Sequence, residues 1–133
     1  MKAMEGGVKL VLIDDDEGVL RALGMLLQAL GFEVHSFSSA KDALTCALET
    51  ASVDLIVSDL RMPGFSGEDV VREVRARGSR LPIIVMSGHA TATDIEALRS
   101  LGMNAFVSKP FTPDTFVETV RRVLGTGSSK NAA

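Results

Sequence analysis

The chain has 133 residues and a formal net charge of −3, and it is 46% hydrophobic and 23% charged. This length suits one domain with a substantial core, able to bury about two-thirds of the surface of the unfolded chain. The slight acidic excess argues against a general binder of nucleic acid or of anionic membranes, because both require clustered basic charge. A single cysteine, Cys46, cannot form an internal disulfide, and the first apolar run is too short for a signal peptide or a membrane span. We therefore expect a cytoplasmic protein.

Short apolar runs alternate with segments of helical spacing along the chain. Several runs are almost continuously apolar, as expected for parallel strands that are covered on both faces. The segments between them begin at Ser or Thr caps or end at glycines. The predicted strands are 8–13, 33–37, 54–58, 82–86 and 104–108. The predicted helices run from Val19 to Leu30, from Ala40 to Leu48, over 67–77, from the Thr91 cap to Gly102, and from the Thr112 cap to Leu124.

This alternation predicts a doubly wound parallel sheet with helices on both faces. The ordered domain is expected to cover 8–124, after a flexible N-terminus at 1–7. The tail at 125–133 is small and polar, which predicts disorder. In sheets of this class, ligands bind at the carboxyl ends of the strands.

Side chains suited to binding ions or phosphate follow four of the five predicted strands. Asp14 and Asp15 follow the first strand, and Asp59 follows the third. Ser87 follows the fourth strand, and Lys109 follows the fifth. Because the carboxyl ends of parallel strands meet at one edge of the sheet, we expect these side chains to lie close together. Three carboxylates against one ammonium suit a divalent cation such as Mg²⁺, which prefers oxygen ligands.

The acidic run continues with Asp16 and Glu17, which we interpret as acids of the first turn of the next helix. A calcium-binding EF-hand loop is excluded, because its sixth and twelfth positions require glycine and glutamate. Here those positions would be Val19 and Met25.

Each candidate also has an ordinary structural explanation when it is taken alone. Acids at the start of a helix cap it, Asp59 suits a turn, and Lys109 suits an exposed surface. Phe106 is typical of a core, and His89 of an exposed loop. The coincidence of the polar candidates at one edge of the sheet favours a functional site over these separate explanations.

Four short motifs resemble the CheY-like receiver domain of bacterial response regulators, in order and in spacing. They are the acidic pair after the first strand, SDLRMPGFSG around Asp59, MSG at Ser87 and KPF at Lys109. The resemblance covers roughly 8–124. It implies a flavodoxin-like fold, with five parallel strands in the order 2-1-3-4-5 and five helices on the two faces.

The resemblance also implies a role in two-component signalling. Asp59 would accept a phosphoryl group from a histidine kinase or a phosphotransfer protein. Ser87 and Lys109 would contact that phosphoryl group. The implied Mg²⁺ ligands are Asp14, Asp15, Asp59 and the backbone carbonyl oxygen of Arg61.

Further residues match positions at which the family responds to phosphorylation. Ser87 and Phe106 match its switch positions, and Phe106 would act by packing because it lacks a hydroxyl. Arg61 and His89 flank the site and would tune the lifetime of the phosphoryl group. A cis peptide bond is implied before Pro110. The surface of the fourth helix, fifth strand and fifth helix would contact a downstream protein or a second copy of the chain, forming a homodimer.

Two other functions stay open at this point. Asp14 and Asp16 form the Asp-x-Asp pattern of haloacid-dehalogenase-like phosphatases, although the chain is short for that family and has no further acidic motif of that kind. A flavodoxin-like interaction module without phosphorylation would have no metal affinity, and the sequence has no glycine-rich loop for a flavin or dinucleotide. A receiver would assist only its own phosphorylation and dephosphorylation, so we expect no enzyme in the ordinary sense.

The sequence indicates little about output. Too few residues follow Leu124 for a DNA-binding domain, so we expect no binding of nucleic acid by this chain. It would be a stand-alone receiver or a piece of a larger regulator or hybrid kinase.

Overall fold

A computed structural model of the protein describes residues 7–50 and 52–125. In chain order, its strands are β1 (Lys9–Ile13), β2 (Glu33–Phe37), β3 (Leu55–Asp59), β4 (Ile83–Ser87) and β5 (Ala105–Ser108). Its α-helices are α1 (Glu17–Ala29), α2 (Ala40–Glu49), α3 (Gly67–Ala76), α4 (Ala92–Leu101) and α5 (Pro113–Val120). A π-helical turn, Arg121–Gly125, continues α5.

The five strands form one parallel sheet in the order β2-β1-β3-β4-β5, which confirms the predicted fold class. Every residue of β3 and β4 is buried, because these inner strands are covered on both faces. This burial explains why their sequences are apolar runs without alternation.

Apolar side chains fill two layers, one on each face of the sheet. One layer packs α2, α3 and α4 against the sheet, and the other packs α1 and α5. The first contains buried Leu44, Val70 and Leu98, and the second contains buried Leu27 and Phe116. The two layers fix the sheet, and with it the edge where the strands end.

Polar caps begin the helices, as their sequences indicate. Ser39, Thr91 and Thr112 each accept a backbone hydrogen bond at the start of α2, α4 and α5. Asp16, interpreted from the sequence as an acid of the first turn, is instead the cap that precedes α1, since its Oδ1 accepts from the amides of Gly18 at 2.9 Å and of the next residue at 3.1 Å. A cap of this kind is typically worth about 1 kcal/mol to the stability of the protein.

Some boundaries differ from the predicted ones. Asp59 and Ser87 are the last residues of β3 and β4 rather than the first residues after them. The α-helical part of α5 stops at Val120, and the predicted helix to Leu124 ends in the π-helical turn. The predicted flexible N-terminus and disordered tail fall outside the described residues, except for Gly7 and Gly125. In the described part of the chain, no helix has the length and apolar character needed to cross a bilayer.

Candidate functional site

Three carboxylates meet at the edge of the sheet where β1 and β3 end. Asp14, Asp15 and Asp59 each place an oxygen within 4.8 Å of the other two. Asp14 and Asp59 are buried, and Asp15 is exposed. The parallel register explains the meeting, because Ile13 pairs with Ser58 and the next residue of each chain segment is an aspartate. The predicted clustering of these acids is present in the structure.

Lys109 brings a positive charge to this cluster. Its Nζ lies 2.7 Å from Asp59 Oδ1 and 3.5 Å from Asp14 Oδ2. The residue follows β5, and its amide donates to the carbonyl of Ser87 at 2.9 Å. The bond from Lys109 to Pro110 is cis, as the resemblance implies. The fifth strand therefore contributes to the site although β4 separates it from β3.

Burial and neighbouring charge set the electrostatics of the cluster. Burial raises the pKa of Asp14, and the charge of Asp59 raises it further, against the amide of Asp16 and the ammonium of Lys109, which lower it. Burial alone would lower the pKa of Lys109, but its hydrogen bond to Asp59 and the two nearby carboxylates raise it. The lysine is therefore held as a cation.

Asp14 Oδ2 is a buried oxygen without a hydrogen-bond partner among the described residues. Its contact with Lys109 is an ion pair at long distance rather than a hydrogen bond. A buried carboxylate oxygen without a partner is costly unless a cation or water satisfies it. Together with Asp15 and Asp59, this oxygen fits the oxygen-rich ligand set of a hard divalent cation.

A glycine lets the loop after Asp59, residues 60–66, fold tightly against the end of β3; this loop is named the acceptor loop after the role expected of Asp59. A Cβ atom at Gly67 would lie 2.7 Å from the backbone oxygen of Asp59 and 2.9 Å from the Cα of Leu60. The amide of Gly67 also donates to the carbonyl of Leu60 at 2.9 Å. Gly67 thus permits the close approach of this loop to the backbone of Asp59.

Ser87 and Phe106 lie on the neighbouring strands β4 and β5. Asp59 pairs with Met86 across β3 and β4, so the buried Ser87 lies one residue farther along β4. Its Oγ accepts a hydrogen bond from the amide of His89 at 3.1 Å, which leaves its hydroxyl proton available to a new acceptor. Phe106 pairs with Val85 and is half-buried against the layer that contains α4.

Arg61 and His89, which were expected to flank the site, contact each other. Arg61 Nη2 donates to the carbonyl oxygen of His89 at 3.3 Å and to Asp94 Oδ2 at 2.9 Å. Asp94 was not singled out from the sequence. The TATD segment signals a helix cap, but no local pattern identifies the arginine that its acid binds.

The sequence matches the family described as the response regulator receiver domain over residues 10–121. Among curated relatives, it is 39% identical over 118 residues to the transcriptional regulatory protein FixJ of Azorhizobium caulinodans, covering 85% of this chain and 53% of the relative. It is 35% identical over 120 residues to the C4-dicarboxylate transport transcriptional regulatory protein DctD of Rhizobium meliloti, covering 90% of this chain and 26% of the relative. The chain thus spans about half or less of the length of these relatives.

Solved structures share the fold. A response regulator receiver domain protein from Clostridium thermocellum superimposes with a TM-score of 0.84 at 25% identity, covering 91% of this chain and 97% of that one. The FixJ-N structure gives a TM-score of 0.80 at 29% identity, covering 87% and 92%. The family matches this chain over most of its length, and the acidic cluster lies where the strands of this chain end. This chain therefore belongs to the response regulator receiver domains.

Proposed function

We propose that Asp59 accepts a phosphoryl group from a histidine kinase or a phosphotransfer protein in the cytoplasm. The observation that carries this proposal is the setting of the Asp59 carboxylate. It is buried at the carboxyl edge of the sheet, 2.7 Å from an ammonium and within 4.8 Å of two further carboxylates. A structural salt bridge would not require those two additional acids.

The transfer is a substitution at phosphorus. An oxygen of the Asp59 carboxylate forms the new bond to phosphorus, while the bond from phosphorus to the donor's histidine nitrogen breaks. Phosphoryl transfer depends mainly on positioning and on compensation of charge. Gly67 permits the close approach of the acceptor loop to the Asp59 backbone, and Lys109, with Nζ 2.7 Å from Asp59 Oδ1, would pair with an oxygen of the transferred group.

We propose that Asp14, Asp15, Asp59 and the backbone carbonyl of Arg61 hold Mg²⁺. When bound, the ion supplies positive charge to the phosphoryl oxygens. The buried Oδ2 of Asp14, which has no hydrogen-bond partner among the described residues, supports a cation at this position.

Ser87 would link phosphorylation of Asp59 to a change in the protein surface. Its hydroxyl proton is available for a phosphoryl oxygen on Asp59, and this charge-assisted bond exists only in the phosphorylated state. A bond to a charged group is worth about 1.5–3 kcal/mol, which shifts a two-state population about ten- to a hundredfold. Phe106, half-buried beside α4, would repack in response. The surface of α4, β5 and α5 would then contact a downstream protein or a second copy of the chain.

The geometry argues against a haloacid-dehalogenase-like phosphatase. That function needs Asp16 in the acidic site beside Asp14. Instead, Asp16 Oδ1 accepts two backbone hydrogen bonds as the cap of α1, and the third member of the cluster is Asp15. A plain interaction module is also less well supported, because it gives no reason to bury two acids at this edge.

The direct test is incubation of the protein with acetyl phosphate and Mg²⁺, followed by intact mass measurement. We expect the mass of one phosphate, labile to base, and no gain when the metal is chelated. Asp59→Asn should abolish the gain, whereas Asp114→Asn, an exposed acid in the first turn of α5, should not. Unchanged phosphate uptake by Asp59→Asn would overturn the assignment of the acceptor.

A further inference from the structure

The side chain of Arg61 joins the acceptor loop to α4. The residue lies two positions after Asp59, and its guanidinium reaches an acid in the first turn of α4. The same Nη2 also donates to the carbonyl of His89, within the connection between β4 and α4. One guanidinium therefore links three segments around the site.

This connection, residues 88–91, is fastened at both of its ends. At the first end, Ser87 Oγ accepts from the amide of His89 at 3.1 Å. At the second end, Thr91 and Asp94 exchange hydrogen bonds of a capping box at 3.0 and 2.9 Å. The oxygen that accepts from the Thr91 amide, Asp94 Oδ2, is also the one that Arg61 contacts. The arginine therefore contacts both His89 and Asp94, the residues that these hydrogen bonds hold at the two ends.

We propose that Arg61 is a positioning residue whose side chain holds the β4–α4 connection and the start of α4 in the arrangement seen here, against the displacement of Ser87. This inference rests on the proposed function for the direction of that displacement, which is toward a phosphoryl group on Asp59. If the Ser87 side chain moves its Oγ toward that group, the hydrogen bond that Oγ accepts from the amide of His89 is strained or lost. Arg61 opposes this change because it holds the carbonyl of the same residue. The contacts of Arg61 thereby set how strongly phosphorylation must favour the displaced position of α4 before α4 moves.

The expected effect is modest, because the pair is partly in water. The side chains of Arg61 and Asp94 are 57% and 34% exposed. Pairs at such positions typically shift an equilibrium about two- to fivefold. An effect of about two- to fivefold would adjust the equilibrium between the two positions of α4 but would not create it.

Two substitutions break the contact with opposite changes of charge. Arg61→Ala removes a positive charge, whereas Asp94→Asn removes a negative one and keeps a carbonyl oxygen for the amide of Thr91. If Arg61 acted only through the electrostatic effect of its charge at Asp59, the two variants would shift the affinity for an anionic phosphoryl mimic in opposite directions, because they remove charges of opposite sign. If the contact itself matters, both variants shift it in the same direction. Arg77→Ala is the matched control, since Arg77 is 53% exposed and pairs with Glu73 at 2.8 Å at the other end of α3.

The first measurement is hydrogen exchange at the amide of His89 in the metal-free, unmodified protein. We expect exchange about two- to fivefold faster in Arg61→Ala and in Asp94→Asn, and unchanged in Arg77→Ala. The double variant should exchange no faster than the faster single variant, because both remove one contact. Unchanged exchange in both single variants would overturn the proposal.

The second measurement titrates beryllofluoride, with Mg²⁺ present, while the amide signals of α4 are followed by NMR. Both single variants should reach half of the response at a concentration about two- to fivefold lower than the wild-type protein. Shifts in opposite directions would overturn the proposal in favour of a field effect. If neither wild type nor variants bind the mimic, the proposed function fails, and the exchange measurement alone decides whether Arg61 holds the connection.

Discussion

Lys109 Nζ lies 2.7 Å from Asp59 Oδ1 although Asp59 ends β3, Lys109 follows β5, and these two strands are not neighbours in the sheet. The lysine reaches past β4 from the end of β5. Its pKa is raised by its hydrogen bond to Asp59 and by the two carboxylates, against the lowering effect of burial. The charge is therefore available across the neutral pH range.

Replacement of this lysine tests its contribution to transfer. Lys109→Met keeps much of the apolar stem and removes the ammonium, so one charge-assisted hydrogen bond to the acceptor is lost. We expect phosphate uptake from acetyl phosphate to slow about ten- to a hundredfold. Lys41→Met, an exposed lysine in the first turn of α2, is the control and should react at the wild-type rate. A Lys109→Met protein with the wild-type rate would remove the lysine from the mechanism.

Asp14→Asn should stabilise the metal-free protein and weaken its response to Mg²⁺. Burial raises the pKa of Asp14 in the folded state above 3.8, so the unfolded chain ionises first as the pH rises. Ionisation of this group therefore lowers stability above that pH, and the deficit becomes constant once the folded protein is also ionised. In chelator, the urea midpoint of Asp14→Asn should exceed that of the wild type near neutral pH.

The pH dependence of the urea midpoint and its response to Mg²⁺ distinguish this effect of the Asp14 charge from a general change in packing. The advantage of Asp14→Asn should shrink as the pH falls toward 3.8. Saturating Mg²⁺ should raise the wild-type midpoint more than that of the variant, because ligand binding to the folded state stabilises it. Equal Mg²⁺ responses in the two proteins would contradict a ligand role for Asp14.

Gly67→Ala should disturb the acceptor loop. The new methyl group would lie 2.7 Å from the backbone oxygen of Asp59, so backbone must move to admit it. We expect a loss of about 1–3 kcal/mol in the free energy of unfolding. Gly88→Ala is the control, because its Cβ would meet Lys109 atoms only at 3.7 and 3.9 Å. Equal urea midpoints for the two variants would show that the loop relaxes at little cost.

Ser87→Ala should separate phosphorylation from the response. The methyl group cannot donate to a phosphoryl oxygen, whereas the carboxylates and Lys109 are unchanged. We expect phosphate uptake to be largely retained and the NMR shifts caused by beryllofluoride across α4, β5 and α5 to shrink. Undiminished shifts in Ser87→Ala would contradict coupling through this hydroxyl.

The fold and the acidic cluster were accessible from the sequence because both follow from short-range patterns. Apolar runs alternating with capped helices predict parallel strands, and the parallel arrangement brings residues at strand ends to one edge. The grouping of Asp14, Asp59 and Lys109 therefore follows from the sequence alone. Asp59 and Ser87 fell one residue outside their predicted strands, since the end of a strand depends on hydrogen bonds to its neighbours.

The contact between Arg61 and Asp94 was not accessible in the same way. An exposed arginine has many acids within reach, and its partner depends on how α4 lies against the acceptor loop. The π-helical turn after α5 was missed for a similar reason, because the apolar spacing through Leu124 fits an α-helix equally well.

The most direct test of the central claim is to locate the phosphoryl group in the chain. The protein is treated with acetyl phosphate and Mg²⁺, the acyl phosphate is reduced with borohydride to a stable alcohol, and the peptides are sequenced by mass spectrometry. We predict homoserine at Asp59 alone, in the peptide that contains SDLRMPG. Homoserine at Asp14 or Asp15 instead, or at no aspartate, would contradict the account.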